Sequence, residues 1–471
     1  MSITESSLAG MNILVMGLGL HGGGTATARF LSSRGARVTV TDLRSPEVLA
    51  PSLEALKDRH IDYILGEHRM EDFSRADLVI KNPAVPPDNL FLKAARRVET
   101  DISLFLRLNR RPVLAVTGSK GKSTTTSALH HILKARYPRT VLGGNITVSP
   151  LTFLDGCSAE EWNRHDDPVV LELSSWQLAD MRGLGVLTPR ICAVTNILKD
   201  HQDRYGGMEA YVADKKEIFR HQGPGQFTLC FRDDSYGPGF AAETPGKALY
   251  FSAGPLPDGM DGAFLSEPAG GGLRLEGKWE ELLPEYLPLP GKHNRLNCLV
   301  AAAMARLYGQ DPGSIRAALA EFHGIGHRLE LVRIWEGIRF YNDSAATIPD
   351  AVAAALGSFA VPVVLITGGT DKNLDFAPLR PALSRPSAVC LLEGTALPKF
   401  RKELQNQDIP FQGPFDSLKA AFDQAVKTAR GLRDQTGQEP VVLLSPGCAS
   451  FGMFLNEFDR GRQFVDLVKG L

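Results

Sequence analysis

The sequence predicts an α/β protein of about three domains with mostly parallel sheets. Its 471 residues allow three domains at roughly 150 residues each. Two apolar runs, 12–16 and 113–116, each lead into a glycine-rich turn and then into a helix-compatible segment. Strands that alternate with helices in this way are typical of parallel sheets covered by helices.

The composition is that of an ordinary globular protein. Its 53 acidic and 52 basic residues almost cancel and form no basic stripe, so we expect no nucleic-acid partner. The six cysteines are scattered without a C-x-x-C pair, which favours reduced thiols over disulfides or zinc. The sequence shows no signal-peptide pattern and no run of about eighteen apolar residues. We therefore expect a cytoplasmic protein that does not insert into a membrane.

The strongest motif is Gly118-Ser-Lys-Gly-Lys-Ser123, which follows the run 113–116 and opens a helix-compatible segment. Backbone N–H groups and the helix N-terminus would face an anion there, Lys122 adds a positive charge, and the Ser123 hydroxyl can bind Mg²⁺. The spacing is two residues shorter than the general phosphate-loop pattern. A glycine turn that happens to contain lysines is the simpler alternative, but the flanking strand and helix favour a nucleoside triphosphate site.

A second glycine motif, Gly17-Leu-Gly-Leu-His-Gly22, follows the run 12–16, and the next predicted strand, 37–41, ends at Asp42. This is the pattern of a Rossmann-type half, with an acidic residue after the second strand. The motif alone does not decide whether the ligand is NAD or FAD or a different molecule that carries a diphosphate. A third predicted strand within 76–86 ends in a proline-rich turn that would reach the same ligand.

Glu172 lies in an otherwise apolar predicted strand, 169–173. A buried carboxylate has to be paired or to bind a metal, because burying it alone costs several kcal/mol, of the order of 3–5. A structural salt bridge is one interpretation, and a Mg²⁺ ligand beside the phosphate loop fits better. His201 by itself would most often be a hydrogen-bonded structural histidine, but beside Glu172 and a phosphate loop it becomes a candidate ligand.

Five motifs follow one another in an order that resembles the Mur ligases of peptidoglycan synthesis. They are T-G-S-K-G-K-S-T from Thr117, E-L-S-S-W-Q-L from Glu172, D-H-Q-D-R-Y from Asp200, L-P-G-K-H-N-R-L-N ending at Asn297, and G-H-R-L-E ending at Glu330. The resemblance covers essentially the whole chain. It implies a Rossmann-like UDP-muramoyl-binding domain at 1–111, a central P-loop ATPase-like domain at 112–324 and a C-terminal Rossmann-like, amino-acid-binding domain at 325–471.

Within the family, the C-terminal third is most similar to the branch that adds D-glutamate to UDP-N-acetylmuramoyl-L-alanine. The indicators are the motifs N-D-S from Asn342, G-G-T-D-K-N-L-D-F from Gly368 and L-S-P-G-C-A-S ending at Ser450, with no D-N-P-R motif. The resemblance implies an ATP-dependent, ADP-forming amide ligase that works through an acyl phosphate, and a UDP diphosphate on the first glycine motif. Ligases for another amino acid such as L-glutamate, folate-type ligases, NAD-dependent oxidoreductases and a non-catalytic nucleotide-binding module are the alternatives. We expect a monomer.

The resemblance also implies roles for single residues. The ATP contacts would be Gly118, Ser119, Lys120, Gly121, Lys122, Ser123, Thr124, Asn294, Asn297, Arg328 and Asp343. Two Mg²⁺ ions would be held by Ser123, Glu172, His201 and Lys215, and Lys122, His201, Lys215 and Arg328 would be catalytic. The UDP substrate would contact Gly19, Leu20, His21, Asp42, Arg44, Asn82 and Asn145. The amino acid would contact Thr347, Lys372, Ser450 and Phe451.

Lys215 stands in a Y-x-x-x-K-x-x-I-F pattern in which members of the family carry a carbamylated lysine, and Lys216 is the other candidate. An ammonium would repel Mg²⁺, whereas the CO₂ adduct supplies an anionic oxygen ligand. The chain departs from the family pattern at two positions. Ala345 stands where a lysine is expected, which removes one positive charge, and Glu457 stands where an aromatic residue is often found.

Overall fold

A computed structural model describes residues 3–20, 22–146, 148–198, 205–266, 270–406 and 409–471. The predicted α/β class is confirmed, with three sheets of five, nine and six strands. The chain folds into two compact units, one within residues 1–284 and 296–319 and one within 285–295 and 320–471. The first unit contains the first two sheets and the second unit contains the third.

The first sheet is parallel throughout and has the order β3-β2-β1-β4-β5. Its strands are β1 (Asn12–Met16), β2 (Arg37–Asp42), β3 (Ile61–Leu65), β4 (Leu78–Lys81) and β5 (Val98–Glu99). Its helices are α1 (Gly23–Ser33), α2 (Pro46–Glu54), α3 (Met70–Arg75) and α4 (Asp101–Leu108). The central strands are apolar because helices cover both faces. The carboxyl ends of β1, β2 and β4 therefore meet at one edge, where the glycine motif lies.

The second sheet has the order β14-β13-β12-β11-β10-β9-β6-β8-β7. Its strands are β6 (Val113–Thr117), β7 (Val141–Gly144), β8 (Val169–Glu172), β9 (Ile191–Val194), β10 (Phe227–Phe231), β11 (Lys247–Ser252), β12 (Gly262–Ser266), β13 (Gly270–Leu275) and β14 (Lys278–Glu281). The strands from β7 to β12 run parallel, and β12, β13 and β14 pair antiparallel.

The first five helices of this middle part of the chain connect its parallel strands, as crossover connections require, and the last two follow β14. They are α5 (Lys122–Lys134), α6 (Ala159–Trp162), α7 (Ser175–Asp180), α8 (Met208–Lys216), α9 (Gly237–Glu243), α10 (Lys292–Tyr308) and α11 (Pro312–Ala320). Short 3₁₀ turns lie at Glu5–Leu8, Leu92–Ala94, Pro150–Leu154 and Ala377–Ala382. Because β6 lies between β8 and β9, the loops after these three strands converge at one edge of the sheet.

The third sheet has the order β15-β16-β20-β17-β18-β19, and only β15 runs antiparallel to its neighbour. Its strands are β15 (Glu330–Trp335), β16 (Ile338–Asn342), β17 (Val363–Gly368), β18 (Ala388–Leu392), β19 (Phe411–Phe415) and β20 (Val441–Leu444). Its helices are α12 (Pro349–Leu356), α13 (Leu397–Gln405), α14 (Leu418–Thr436) and α15 (Glu457–Lys469). Separate apolar clusters cover its two faces, so its strands are buried on both sides.

Among the described residues, no helix combines the length and the apolar character that crossing a membrane requires.

Candidate active site

The phosphate loop has the predicted strand, turn and helix. Gly118 and Gly121 both have a positive φ, +143° and +87°. A side chain at Gly118 would collide with Thr195, and one at Gly121 would collide with Asn297, so only glycine fits at either position. Asn297, a predicted ATP contact, therefore lies against the loop. Helix α5 begins at Lys122, and the backbone N–H groups of its first turn lack an acceptor within the helix itself.

Two residues outside the predicted site hold this loop in place. The backbone carbonyl oxygen of Asn196 accepts a hydrogen bond from Ser119 N (2.8 Å), and its side-chain Oδ1 accepts one from Lys120 N (2.9 Å). Tyr211 shares a hydrogen bond of 2.9 Å with Ser119 Oγ. One sequence signal could have identified Asn196 as a residue of the site. It comes directly after a predicted strand that runs beside the phosphate-loop strand.

Lys122 bends back over its own loop. Its Nζ donates to the carbonyl oxygens of Gly118 and Ser119, both at 3.0 Å. Carbonyl oxygens are weak partners for an ammonium compared with phosphate oxygens. The Lys122 ammonium is thus held above the turn. There, the oxygens of a bound phosphate group would compete with the two carbonyl oxygens for its hydrogen bonds.

Glu172 ends β8, opposite Val116 on β6, and is 1% exposed. Its Oε1 accepts a hydrogen bond of 2.8 Å from Asn145 Nδ2, whereas its Oε2 is buried and has no hydrogen-bond partner in the described part of the chain. The described residues also provide no ion-pair partner, so the salt-bridge interpretation finds no support there. A buried, unsatisfied carboxylate oxygen beside a phosphate loop fits a Mg²⁺ ligand. Asn145, predicted as a substrate contact, lies at this carboxylate.

The structure separates the two candidate lysines of α8. Lys215 is 1% exposed, and its Nζ donates to the carbonyl oxygen of Gly118 at 2.9 Å. Lys216 instead donates to Glu243 Oε1 at 2.6 Å, away from the phosphate loop. Lys215 is therefore the lysine of this helix that reaches the predicted ATP site. His201 and Asp200 lie outside the described residues, as does His21 of the predicted UDP site.

The glycine turn after β1 is held by Asp42, which is buried at the end of β2. Asp42 accepts hydrogen bonds from Gly19 N (3.0 Å) and Arg44 N (2.9 Å), and the Arg44 guanidinium lies 3.8 Å away. Asn82, after β4, packs so closely against Gly17 that a side chain there would collide with it. The structure thus brings Gly19, Asp42, Arg44 and Asn82 of the predicted UDP site to one edge of the first sheet, where Leu20 is also exposed. Asn145 is not among them, because it lies at Glu172 on the second sheet.

Three predicted nucleotide contacts of the second unit differ in exposure. Arg328 is exposed, whereas Asn294 is buried and donates to the Pro290 carbonyl oxygen at 2.8 Å. Asp343 is also buried, and its carboxylate accepts hydrogen bonds from the protein itself. Burial raises the pKa of Asp343 to about 7, although the hydrogen bonds from Ser445 and Leu329 and the nearby Arg328 charge act to lower it.

The carboxyl edge of the third sheet carries a cavity of about 340 Å³. Two predicted amino-acid contacts, Ser450 and Phe451, line it, whereas Thr347 and Lys372 are not among its lining residues. The Ser450 hydroxyl is buried and has no hydrogen-bond partner in the described segments. A hydroxyl left unsatisfied beside a cavity fits a ligand contact.

Arg460, on α15, also lines this cavity, and the sequence reasoning missed it. It is fully buried, its Nε donates to Ser344 Oγ at 2.9 Å, and no carboxylate of the described chain forms an ion pair with it. Burial lowers the pKa of its guanidinium to about 10. No sequence signal marked it, because α15 is rich in charged residues and an arginine there suggests a solvated face.

Comparisons with known proteins show the family of the chain. The model of the Mur ligase middle domain matches residues 116–305, and that of the Mur ligase MurD-like N-terminal domain matches residues 11–103. A UDP-N-acetylmuramoylalanine--D-glutamate ligase of Roseiflexus sp. (strain RS-1) is 43% identical, with 98% of this chain and 99% of the relative covered. The ligase of the same name from Treponema pallidum (strain Nichols) is 39% identical over 100% of this chain and 99% of its own length.

Solved structures share the fold at lower identity. The UDP-N-acetylmuramate-alanine ligase MurC of Thermotoga maritima has a TM-score of 0.60 at 22% identity, with 98% of this chain and 99% of that chain covered. A pseudomurein peptide ligase type C of Methanothermus fervidus has a TM-score of 0.55 at 18% identity and the same coverage. From the full-length relatives and the two domain matches, the chain belongs to the Mur ligase family and, within it, to the UDP-N-acetylmuramoylalanine--D-glutamate ligases.

Proposed function

We infer that the chain catalyses the ATP-dependent addition of D-glutamate to UDP-N-acetylmuramoyl-L-alanine, a step of peptidoglycan precursor synthesis. The observation that carries this function is the 43% identity over 98% of the chain to a UDP-N-acetylmuramoylalanine--D-glutamate ligase. The phosphate loop with Lys122, the buried Glu172 and the buried Lys215 supply side chains suited to this chemistry at one edge of the second sheet.

We propose a reaction in two steps. The carboxylate of the muramoyl-L-alanine attacks the γ-phosphorus of ATP, the bond to the bridging oxygen breaks, and ADP leaves behind an acyl phosphate. The amino group of D-glutamate then attacks the acyl carbon, loses a proton and expels inorganic phosphate. The loop amides and Lys122 hold the triphosphate, and the exposed Arg328 neutralises the charge that develops on the transferred group.

Like other Mur ligases, the chain uses Mg²⁺ with ATP. We propose that Glu172 and Ser123 hold one ion and that His201 and a carbamylated Lys215 help to hold a second. Bound Mg²⁺ neutralises charge on the phosphates. The unsatisfied Oε2 of Glu172 supports the first site, and the burial of Lys215 against the phosphate loop supports the second.

A ligase that adds a different amino acid, such as L-glutamate, is the second candidate. Two departures from the family pattern near the predicted amino-acid contacts favour this candidate. Ala345 removes an expected positive charge, and Glu457 adds a negative one. The MurD-like N-terminal domain argues against a folate-type ligase. Membership of the ligase family argues against a nicotinamide-dependent oxidoreductase and against a module without catalysis.

Phosphate release tests the function directly. Purified protein with ATP, Mg²⁺ and UDP-N-acetylmuramoyl-L-alanine should release phosphate when D-glutamate is added, and L-glutamate, other amino acids and a folate serve as the comparison panel. Release with L-glutamate alone would support the second candidate. Release without any amino acid, or only with a folate, would exclude both.

Glu172→Gln should separate metal binding from folding. The amide keeps the shape of the side chain but cannot bind Mg²⁺ as a carboxylate, so we expect kcat/KM to fall by about 10²-fold or more and the Mg²⁺ requirement to rise. The metal-free protein should unfold at the same or a higher temperature, because an unsatisfied buried charge has been removed. The measurements are Mg²⁺ titrations of activity and thermal unfolding without metal. A marked loss of stability with unchanged Mg²⁺ dependence would contradict the proposal.

Ser450→Ala should weaken binding of the amino acid alone. A hydrogen bond to a carboxylate contributes roughly 1.5–3 kcal/mol, so we expect the KM for D-glutamate to rise about 10- to 100-fold. The KM for ATP and for the UDP substrate should not change. Ser358→Ala, at a partly exposed serine that donates to the Ala354 carbonyl oxygen, is the matched control and should leave all three values unchanged. An unaltered KM for D-glutamate in Ser450→Ala would remove Ser450 from the amino-acid site.

Three further features complete the proposal. We propose three domains, at 1–111, 112–324 and 325–471, with the UDP substrate on the first, ATP on the second and the amino acid on the third. We also propose that the enzyme acts as a monomer in the cytoplasm. Size-exclusion chromatography with light scattering, with and without substrates, would test the oligomeric state.

A further inference from the structure

A buried ion pair joins the end of β4, in the first sheet, to the end of α7, which follows β8 of the second sheet. Lys81 is the last residue of β4, and its Nζ lies 2.6 Å from Oδ2 of Asp180, the last residue of α7. The two side chains are almost inaccessible to solvent. Hydrogen bonds between charged groups are short and directional, so this pair holds the two elements at a fixed separation.

On the side of the first sheet, the pair acts on the turn that carries Asn82, a predicted contact of the UDP substrate. The Lys81 Nζ also donates to the Val85 carbonyl oxygen at 2.8 Å, across this turn. Within the turn, the Asn82 carbonyl oxygen accepts a hydrogen bond from Val85 N (2.9 Å), and Asn82 Oδ1 accepts one from Ala84 N (3.0 Å). Lys81 thus ties the substrate turn to α7.

On the side of the second sheet, α7 begins shortly after Glu172, the proposed Mg²⁺ ligand. The Leu173 carbonyl oxygen accepts a hydrogen bond of 2.7 Å from Thr117 Oγ1, at the end of the phosphate-loop strand. Ser174 caps the helix, and its Oγ accepts a hydrogen bond of 3.3 Å from Gln177 N. The start of α7 is therefore fixed beside the phosphate loop, and its end is fixed to the substrate turn.

We propose that Lys81 and Asp180 are positioning residues that align the UDP substrate on the first sheet with ATP on the second. The proposal rests on the proposed function, because it requires a carboxylate held by one sheet to attack a phosphate held by the other. Alignment of this kind decides the rate, since a misplacement of about 1 Å costs on the order of 10²-fold. An apolar contact is non-directional, so it would hold the two sheets together without fixing their relative position.

The contacts of Arg34 provide a matched control, because they also join the first sheet to the second. Arg34 directly follows α1, and its Nη2 donates to the carbonyl oxygens of Leu154 and Cys157, both at 2.6 Å. These two residues lie between β7 and β8 of the second sheet. Since the chain runs from Arg34 into the start of β2, this link lies at the amino edge of the first sheet, opposite the glycine turn.

The test compares the stability of Lys81→Met/Asp180→Leu with its kinetic constants. The double variant should regain most of the unfolding midpoint that each single variant loses, yet its kcat should stay about 10- to 100-fold below that of the wild type. The KM for ATP should change by less than about threefold, because ATP still binds its own sheet. The same limit applies to the Kd for UDP-N-acetylmuramoyl-L-alanine, measured by calorimetry without ATP.

Arg34→Met should show the reverse pattern, with a lower unfolding midpoint and an unchanged kcat. Asp180→Glu keeps the charge but lengthens the side chain by one methylene, and it completes the test if the double variant does not fold. We expect it to lower kcat about tenfold, with a smaller loss of stability than Asp180→Leu and unchanged binding of both substrates.

Full kcat in the double variant or in Asp180→Glu would show that the ion pair serves stability alone, and would overturn the proposal. Weaker binding of the UDP substrate at unchanged kcat would also overturn it, by making Lys81 part of the binding site. So would an equal loss of kcat in Arg34→Met, because any loosening of the two sheets would then slow the reaction. Absence of activity in the wild type with every amino acid tested would instead refute the proposed function.

Discussion

Lys215→Ala is expected to lose nearly all ligase activity and to recover part of it when acetate is added. The carbamate would supply an anionic oxygen beside the phosphate loop, and losing a charge-stabilising group of this kind lowers kcat by about 10³-fold. Acetate can occupy the space left by the side chain and supply a carboxylate in its place. Steady-state phosphate release with increasing acetate, with chloride as the salt control, measures the recovery.

Two variants show whether Lys215 acts as a carbamate or as an ammonium. Lys215→Arg keeps a donor for the Gly118 carbonyl oxygen but cannot take up CO₂, so it should be inactive and should not respond to acetate. Lys216→Ala is the matched control, because the neighbouring lysine pairs with Glu243 and should leave activity near that of the wild type.

A ¹³C NMR signal from ¹³CO₂ bound to the wild type, absent in Lys215→Arg, would provide evidence independent of activity. Substantial activity of Lys215→Arg, or full activity of Lys215→Ala, would contradict the carbamate proposal.

The largest effect on stability is expected at the ion pair between Lys81 and Asp180. The Lys81 Nζ and Asp180 Oδ2 atoms are 2.6 Å apart, and the side chains are only 4% and 1% exposed. Lys81 ends β4 of the first sheet, and Asp180 ends α7, so the pair joins two parts of the first unit. Removing one partner leaves the other charge buried, which costs about 3–5 kcal/mol of the free energy of unfolding.

We therefore expect Lys81→Met and Asp180→Leu each to lower the unfolding midpoint of the first unit strongly. The double variant should recover much of the loss, because apolar side chains replace both charges at once. Lys419 and Asp423 form an exposed i,i+4 pair on α14, with 70% and 57% exposure, and serve as the control. Lys419→Met should change the free energy of unfolding by less than about 0.5 kcal/mol.

Urea unfolding of the single and double variants at one pH gives these values. Equal, small losses at the buried and the exposed pairs would show that the buried ion pair is already well solvated. If the double variant loses as much free energy of unfolding as the two single variants lose together, the two charges act independently.

Local patterns predicted the parts of the site that the chain builds from neighbouring residues. The phosphate loop is one strand, one glycine turn and one helix start within about a dozen positions, and each part has its own sequence signal. Glu172 was likewise identified by its place in an apolar strand, and the structure gives it an unsatisfied oxygen. The family resemblance then supplied a chemical meaning that spacing alone left open.

Sequence alone determined the α/β class, the phosphate loop, the buried carboxylate and the family. Only the tertiary structure separated Lys215 from Lys216, because both lie in one helical turn and burial is decided by the packing around it. The tertiary structure also showed that the Asn145 amide donates a hydrogen bond to Glu172, and that Arg460 and Ser450 line the same cavity. The hydrogen bonds of Asp343 join it to Leu329 and Ser445, which lie 14 and 102 positions away in the sequence. Neither the helical nor the strand periodicity of a sequence relates residues that are so far apart. Contacts of that kind arise only when strands meet at a common sheet edge.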